Sequence, residues 1–333
     1  MRAFGWRTDV MGGACDLAPF YVHGGRVAEA RAVFGGEDWI DLSTGIAPRA
    51  YPVEEAGLER LPESGAVAAL EAAAARAFGV PAGRSVVAVP GTDLAMRLLA
   101  LLMPGERPAV VVPGYSGHRA AWPAAVPIGW DALGQAGHDL TILASPANPD
   151  GRRLDPVAAR DLLAVGMLVV DEAYADPAPG LAAMHEPGLV VLRSFGKFYG
   201  LPGVRLGFVI AAPALAERLR ALLGDWPVSG PAVTIGTKAY ADKAWQVEQV
   251  RRIGDAAVAL DAVLASAGIT VIGRAGLFRL VAVPDAARLF RHLAERAILV
   301  RPLADQPDRL RIGLPGCDTA VRRLADALQE FKR

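Results

Sequence analysis

One lysine in this chain has neighbours that equip it for covalent chemistry. Lys197 follows the apolar run Leu189-Val190-Val191-Leu192 and lies in Ser194-Phe195-Gly196-Lys197-Phe198-Tyr199-Gly200-Leu201-Pro202-Gly203-Val204-Arg205-Leu206-Gly207. A lysine at the end of a buried strand loses hydration, which disfavours its ammonium form and frees the amine as a nucleophile. Ser194, three residues before it, and Arg205, eight after it, add a hydroxyl and a guanidinium that suit a phosphate. Together these groups fit a Schiff-base lysine carrying pyridoxal phosphate. A strand followed by lysine also fits a snorkelling surface residue, so the rest of the chain has to decide between the two.

Four other stretches end short apolar runs with polar residues. Gly91-Thr92-Asp93 opens a helical pattern, where free backbone N–H groups and a hydroxyl make an anion site or an ordinary N-cap. Tyr115, after Pro113-Gly114, can stack on a flat ring or simply pack. In Ser145-Pro146-Ala147-Asn148-Pro149-Asp150-Gly151 the turn dipeptides surround an amide, Asn148, that can meet a ligand oxygen. Asp171-Glu172-Ala173-Tyr174 puts a carboxylate at a buried strand end, which is costly without a cation or good hydrogen bonds. A protonated pyridinium nitrogen is one such partner and a structural salt bridge another.

The elements that must position these residues follow from hydrophobic pattern. Short runs apolar on both faces, at Ser85–Val89, Ala109–Val112, Thr141–Ala144, Met167–Val170 and Leu189–Leu192, predict buried parallel strands. They alternate with helical patterns at Gly65–Phe78 and from Thr92, as N-cap, to about Met103, which predicts a layered α/β sheet. In such sheets ligands bind beyond the carboxyl ends of the strands. After about Ala211 the texture changes. Helices are expected at Pro213–Leu223, Thr237–Ala267, Ala286–Ala297 and Asp318–Phe331, with a turn at Gly273–Gly276 and strands at Ile298–Arg301 and Arg309–Gly313. That is the layout of a smaller α+β unit.

The chain has 333 residues, 53% hydrophobic and 21% charged, enough for a sizeable core in one large or two moderate domains. Lysine plus arginine and aspartate plus glutamate both number 35, and no basic block argues for nucleic acid. Cys15 and Cys317 form neither a disulfide framework nor a zinc motif, so no metal is expected and a reducing cytoplasm is the natural compartment. Met1–Val10 lacks a signal-peptide core, and no apolar stretch approaches the roughly 18 residues of a membrane span.

Taken in chain order, these motifs resemble the fold-type I pyridoxal-phosphate enzymes of the aspartate-aminotransferase superfamily. They are most similar to the branch of histidinol-phosphate aminotransferases and cobalamin-pathway threonine-phosphate decarboxylases. The resemblance runs from about His23 to the end and is sharpest at Leu192-Arg193-Ser194, Lys197-Phe198-Tyr199, Pro202-Gly203 and Arg205-Leu206-Gly207. It implies an α/β fold with a mostly parallel central sheet flanked by helices, over residues 45–235. Residues 1–44 and 236–333 would form a smaller α+β domain that includes an N-terminal substrate segment. It also implies a homodimer and these roles: Lys197 carries pyridoxal phosphate, Asp171 pairs with the pyridine nitrogen, and Tyr174 and Asn148 meet the ring oxygen. Tyr115 stacks on the ring, while Gly91, Thr92, Ser194 and Arg205 hold the phosphate.

For a small phosphorylated amino acid, the resemblance implies binding by His23 and Gly24 of His23-Gly24-Gly25, by Asn148, by Arg301 and by Arg311. The implied reaction is decarboxylation of L-threonine O-3-phosphate to (R)-1-amino-2-propanol O-2-phosphate. A histidinol-phosphate or related aminotransferase and a non-catalytic partner of the same fold are the alternatives. The chain departs from the family pattern in several places. Leu61 stands where the family carries a tyrosine, Gly45 where it carries an amide, Gly276-Leu277-Phe278 where an asparagine precedes the aromatic residue, and Gly91-Thr92-Asp93 where Gly-Ser/Glu is usual.

Overall fold

Each short apolar run becomes a strand because it buries both of its faces. The computed structural model describes residues 17–53, 57–135 and 137–331; the readings at Met1–Val10 and Cys15 lie outside them. In chain order the regular elements are helices α1 (Ala18–Val22) and α2 (Val27–Phe34), strand β1 (Ile40–Asp41), α3 (Ser64–Phe78), β2 (Ser85–Val89), α4 (Thr92–Leu102), β3 (Pro108–Val112), α5 (Ser116–Ala121), β4 (Val126–Gly129), β5 (Leu140–Ala144), α6 (Pro156–Leu163), β6 (Met167–Asp171), β7 (Leu189–Ser194), α7 (Phe195–Phe198), β8 (Gly207–Ala211), α8 (Pro213–Leu223), α9 (Gly230–Ala241), α10 (Lys243–Ser266), β9 (Thr270–Ala275), β10 (Phe278–Ala282), α11 (Ala286–Ala294), β11 (Ile298–Leu299), β12 (Arg301–Pro302), β13 (Arg309–Gly313) and α12 (Asp318–Phe331).

The large sheet has seven strands in the order β2-β8-β7-β6-β5-β3-β4, all parallel except β8. Along β7, Leu189 and Val191 join one apolar cluster, while Val190 and Leu192 join the cluster on the other face. Helices α3, α4, α6 and α8 pack against these strands. The reversed strand β8 has a functional consequence. Its first residue, Gly207, pairs with Val89 and Ser194, the last residues of β2 and β7. Arg205, two residues earlier, is thereby delivered to the same sheet edge as the residues that follow the parallel strands.

A four-stranded sheet, β12-β13-β10-β9, packs with α10, α11 and α12 around a third apolar cluster that includes Phe20, Phe278 and Phe290. β1 pairs parallel with β11, so the chain beyond residue 40 is anchored beside the start of the segment carrying Arg301. Among the described residues no helix is long and apolar enough to cross a membrane.

Four sequence expectations are corrected. Thr92 is the first helical residue of α4, not its cap; Gly91 holds the cap position at φ 89° without a side-chain bond. The helix expected over Thr237–Ala267 is two, because the Asp242 side chain accepts from the Trp245 N–H and starts α10 afresh. The turn expected at Gly273–Gly276 shrinks to Gly276-Leu277, with β9 continuing through Gly273. Ile298–Arg301 is not one strand, since β11 pairs with β1 and β12 with β13.

Candidate active site

The carboxyl edge of the large sheet and the small sheet together enclose a cavity of about 420 Å³. Its lining includes every one of the thirteen residues singled out from sequence: His23, Gly24, Gly91, Thr92, Tyr115, Asn148, Asp171, Tyr174, Ser194, Lys197, Arg205, Arg301 and Arg311. The parallel strands explain the convergence. Asp171 is the last residue of β6, Ser194 the last of β7, and Asn148, Tyr115 and Gly91 sit in the loops just beyond β5, β3 and β2.

Asp171 is nearly buried and both of its oxygens are engaged. Oδ1 accepts the Ala173 N–H at 3.0 Å, and Oδ2 lies 3.0 Å from His118 Nε2. His118, only 1% exposed, was not anticipated from sequence. It reaches Asp171 through the short helix α5, 53 positions earlier in the chain. A lone histidine in Ser116-Gly117-His118-Arg119 carries no motif, and only the pairing of β3 with β5 and of β5 with β6 brings it under the strand end.

The next residue, Glu172, turns away from the cavity into a buried network. Arg193, with no exposed surface, donates to Glu172 Oε2 at 3.1 Å, to the Pro179 and Ala178 carbonyls, and to Asp176. Burial raises the Glu172 pKa, opposed by Arg193. Burial would lower that of Arg193, but Asp176 and Glu172 outweigh it and raise it. This network ties the ends of β6 and β7 together and so fixes the spacing between Asp171 and Ser194.

Lys197 lies on the one-turn helix α7 rather than on the strand. It is half-buried, not fully buried, and its Nζ stands 5.6 Å from the centre of the Tyr174 ring. Tyr115 donates from its hydroxyl to Asp93 Oδ1 at 3.2 Å; burial first, then Asp93, pushes its pKa up to about 12, so it keeps its proton.

Gly91, Thr92, Ser194 and Arg205 converge with room for an anion. A Cβ on Gly91 would come within 2.3 Å of Arg205 Nη2, and one on Gly207 within 3.1 Å of the Thr92 backbone nitrogen. Glycine at both positions keeps the guanidinium close to the N-terminus of the eleven-residue helix α4. The donor set and its shape fit a phosphate. A carboxylate, an amine and a tyrosine ring beside it fit the ring of pyridoxal phosphate.

The opposite wall is cationic. Arg311 donates from Nη1 to Asn148 Oδ1 at 2.7 Å and from Nη2 to the Ser43 carbonyl at 2.8 Å, and its guanidinium lies 4.9 Å from the Phe278 ring centre. Its Nε is buried and has no hydrogen-bond partner among the described residues. Arg301 donates to the carbonyls of Phe20, Tyr21 and Val22 at 2.8, 3.1 and 2.8 Å. Burial first, then Arg311 and Arg26, lowers its pKa to about 10. His23 is exposed near Tyr115, 6.4 Å between ring centres; desolvation, then Arg301 and Arg26, lowers its pKa against an opposing pull from Asp93.

The glycine at 45 has a steric reason. A Cβ there would lie 2.7 Å from Tyr174 Oη and 3.0 Å from the Phe278 ring, which meets Tyr174 edge-on at 5.0 Å. Tyr174 occupies the space in which a side chain at 45 would stand.

Comparison with known proteins agrees with this geometry. Residues 130–328 match the family model of class I and II aminotransferases. The chain is 41% identical to a threonine-phosphate decarboxylase of Sinorhizobium sp, covering 93% of this chain and 98% of that one. It is 38% identical to a threonine-phosphate decarboxylase of Pseudomonas aeruginosa, again over 93% and 98%. Among solved structures it superposes with a TM-score of 0.69 on the histidinol-phosphate aminotransferase of Sinorhizobium meliloti in complex with pyridoxal-5'-phosphate, at 24% identity over 82% of this chain and 83% of that one. The strand-end site, the family match and the two relatives place the chain in the class I and II aminotransferase family.

Proposed function

We propose that this protein is a pyridoxal-phosphate-dependent lyase that decarboxylates L-threonine O-3-phosphate to (R)-1-amino-2-propanol O-2-phosphate. The observation that carries the reading is a single cavity with two unlike walls. One wall is a cofactor floor with Lys197 and Asp171; the other presents His23, Arg301 and Arg311. Among the described residues both guanidiniums are hydrogen-bonded to neutral oxygens rather than to carboxylates. Their charge is therefore left for a ligand. A substrate with a carboxylate and a phosphate of roughly −1.5 to −2 charge answers it. The two relatives that bear the decarboxylase name support the same reading.

Lys197 would hold the cofactor covalently, with Asp171, oriented by His118, against the pyridine nitrogen and Tyr115 against the ring face. Asn148 and Tyr174 would meet the ring oxygen, and Gly91, Thr92, Ser194 and Arg205 the phosphate. When bound, pyridoxal phosphate supplies an electron sink for the pair left by the departing carboxylate. The part of His23, Gly24, Asn148, Arg301 and Arg311 is to orient the substrate, which decides whether the carboxylate or the α-hydrogen leaves.

The larger unit, 45–235, would carry the floor, and residues 1–44 with 236–333 the cationic wall; separate apolar clusters support two units, although Ala239 and Tyr240 pack with the larger one and Ala47 with the smaller. A cytoplasmic homodimer fits the family, and Leu58 and Leu61, 83% and 65% exposed, offer apolar surface for a second copy.

The test is product analysis of the protein loaded with pyridoxal phosphate. Carbon dioxide and aminopropanol phosphate formed from threonine phosphate without an oxo acid support the reading. Turnover only in the presence of 2-oxoglutarate sinks it in favour of transamination.

A further inference from the structure

The segment His23-Gly24-Gly25 is exposed or half-buried and sits between two helices of five and eight residues. Short helices of that kind do not by themselves fix the position of a loop. Two contacts do. At one end, the Arg301 guanidinium gathers the carbonyls of Phe20, Tyr21 and Val22 at the close of α1. At the other end, the Gly25 N–H donates to Ser43 Oγ at 2.7 Å.

Ser43 is 2% exposed and is itself held in place. Its hydroxyl donates to Asp41 Oδ1 at 2.5 Å, and the same oxygen accepts the Ser43 N–H at 2.9 Å. Its carbonyl accepts from Arg311 Nη2. The fit against the loop is close, since a Cβ on Gly24 would lie 2.5 Å from the Ser43 carbonyl oxygen. The serine thus touches Gly24 and Gly25 on one side and Arg311 on the other, without lining the cavity itself.

We propose that Ser43, oriented by Asp41, is a positioning residue that pins the His23-Gly24-Gly25 segment and sets the His23 ring at a fixed place relative to Arg311. It acts through His23 and not on the cofactor. One hydroxyl donates to a carboxylate and accepts a backbone N–H, so its loss releases the loop at Gly25 while Arg301 still holds α1. The kinetic part of this inference rests on the threonine-phosphate reading above; the positional part does not.

The test uses the protein loaded with pyridoxal phosphate and two readouts. In Ser43→Ala, backbone amides of residues 23–26 should exchange with deuterium faster than in wild type, while those of 20–22, still held by Arg301, and the visible cofactor band stay unchanged. Near pH 5.5 the KM for threonine phosphate should rise about two- to tenfold, no more than in His23→Ala and on the scale of one lost hydrogen bond, with kcat within about twofold. In a His23→Ala background the same substitution should add no further cost to KM. Asp41→Ala, at an exposed position, should give both effects at reduced size. Unchanged exchange at 23–26 in both variants overturns the proposal, and so does a Ser43→Ala cost that adds in full to that of His23→Ala. Should wild type fail to turn over threonine phosphate, the functional reading falls alone, and the exchange measurement still decides the position of the segment.

Discussion

The two walls of the cavity are built in different ways. The floor is set by strands with both faces buried: Asp171 and Ser194 end β6 and β7, Lys197 follows on α7, Arg205 just precedes β8, and the Arg193 network ties the ends of β6 and β7 together. The cationic wall is assembled from distant pieces. Arg301 reaches back 281 positions to Phe20, and Arg311 reaches back 268 positions to Ser43. Strand ends place a floor that many chemistries can share, whereas the wall is specific to what it binds. A change in the floor should remove chemistry altogether. A change in the wall should leave the cofactor in place and alter which substrate, or which bond, is used.

The largest effect expected is at the floor. Lys197→Ala should remove the visible absorbance band that borohydride bleaches and lower turnover by roughly 10⁴-fold or more, with the thermal unfolding midpoint little changed. Substantial turnover in that variant would detach the floor from the chemistry. On the wall, Arg311→Ala should lower kcat/KM for threonine phosphate by about 10² to 10³, the usual cost of removing a buried charged donor from an anionic ligand. Cofactor affinity should move far less, and an equal loss of both would erase the distinction between the walls.

Beneath the floor, His118→Ala leaves one Asp171 oxygen without its partner. A cost of about 1–3 kcal/mol translates to roughly 5- to 150-fold in kcat, read beside a weakened cofactor affinity and partial rescue by His118→Asn. Full activity in His118→Ala would show that Asp171 needs no support from below.

The smallest effect is pH-dependent. In the free protein desolvation, then Arg301 and Arg26, lowers the His23 pKa from the ordinary histidine value. A phosphate beside it favours the charged ring, so its pKa is higher in the complex than in the free protein. The affinity it adds is fully present below the free-state value and lost as pH rises through the bound-state value. The ratio of KM for His23→Asn to that for wild type should be about 3- to 10-fold near pH 5.5 and approach one by about pH 8.5; the ratio cancels the phosphate's own ionisation. A flat ratio would take His23 out of phosphate binding.

The same contrast governs what the sequence could tell. Lys197, Asp171, Asn148, Tyr115 and Gly91 were legible because each follows an apolar run, and parallel strands bring such positions to one edge. Arg205 was legible from its neighbours, although the reversed strand β8 that delivers it was not expected. His118 could not be found that way, since its link to Asp171 exists only in the folded sheet. The break at Asp242 was missed because no glycine or proline marks it, and only the cap to the Trp245 N–H reveals it. Gly45 read as a lost amide, but in the fold its side-chain space belongs to Tyr174. On the wall Arg301, and behind it Ser43, owe their roles to backbone carbonyls and amides far away in sequence, which no spacing announces.

The claim that the wall chooses the bond can be measured by partitioning. Protein loaded with pyridoxal phosphate is incubated with threonine phosphate in deuterium oxide, and carbon dioxide release is compared with deuterium incorporated at Cα of recovered substrate. The account predicts release far ahead of incorporation in wild type, and a shift toward incorporation in Arg311→Ala with the cofactor band unchanged. An identical partition in the two proteins would contradict it.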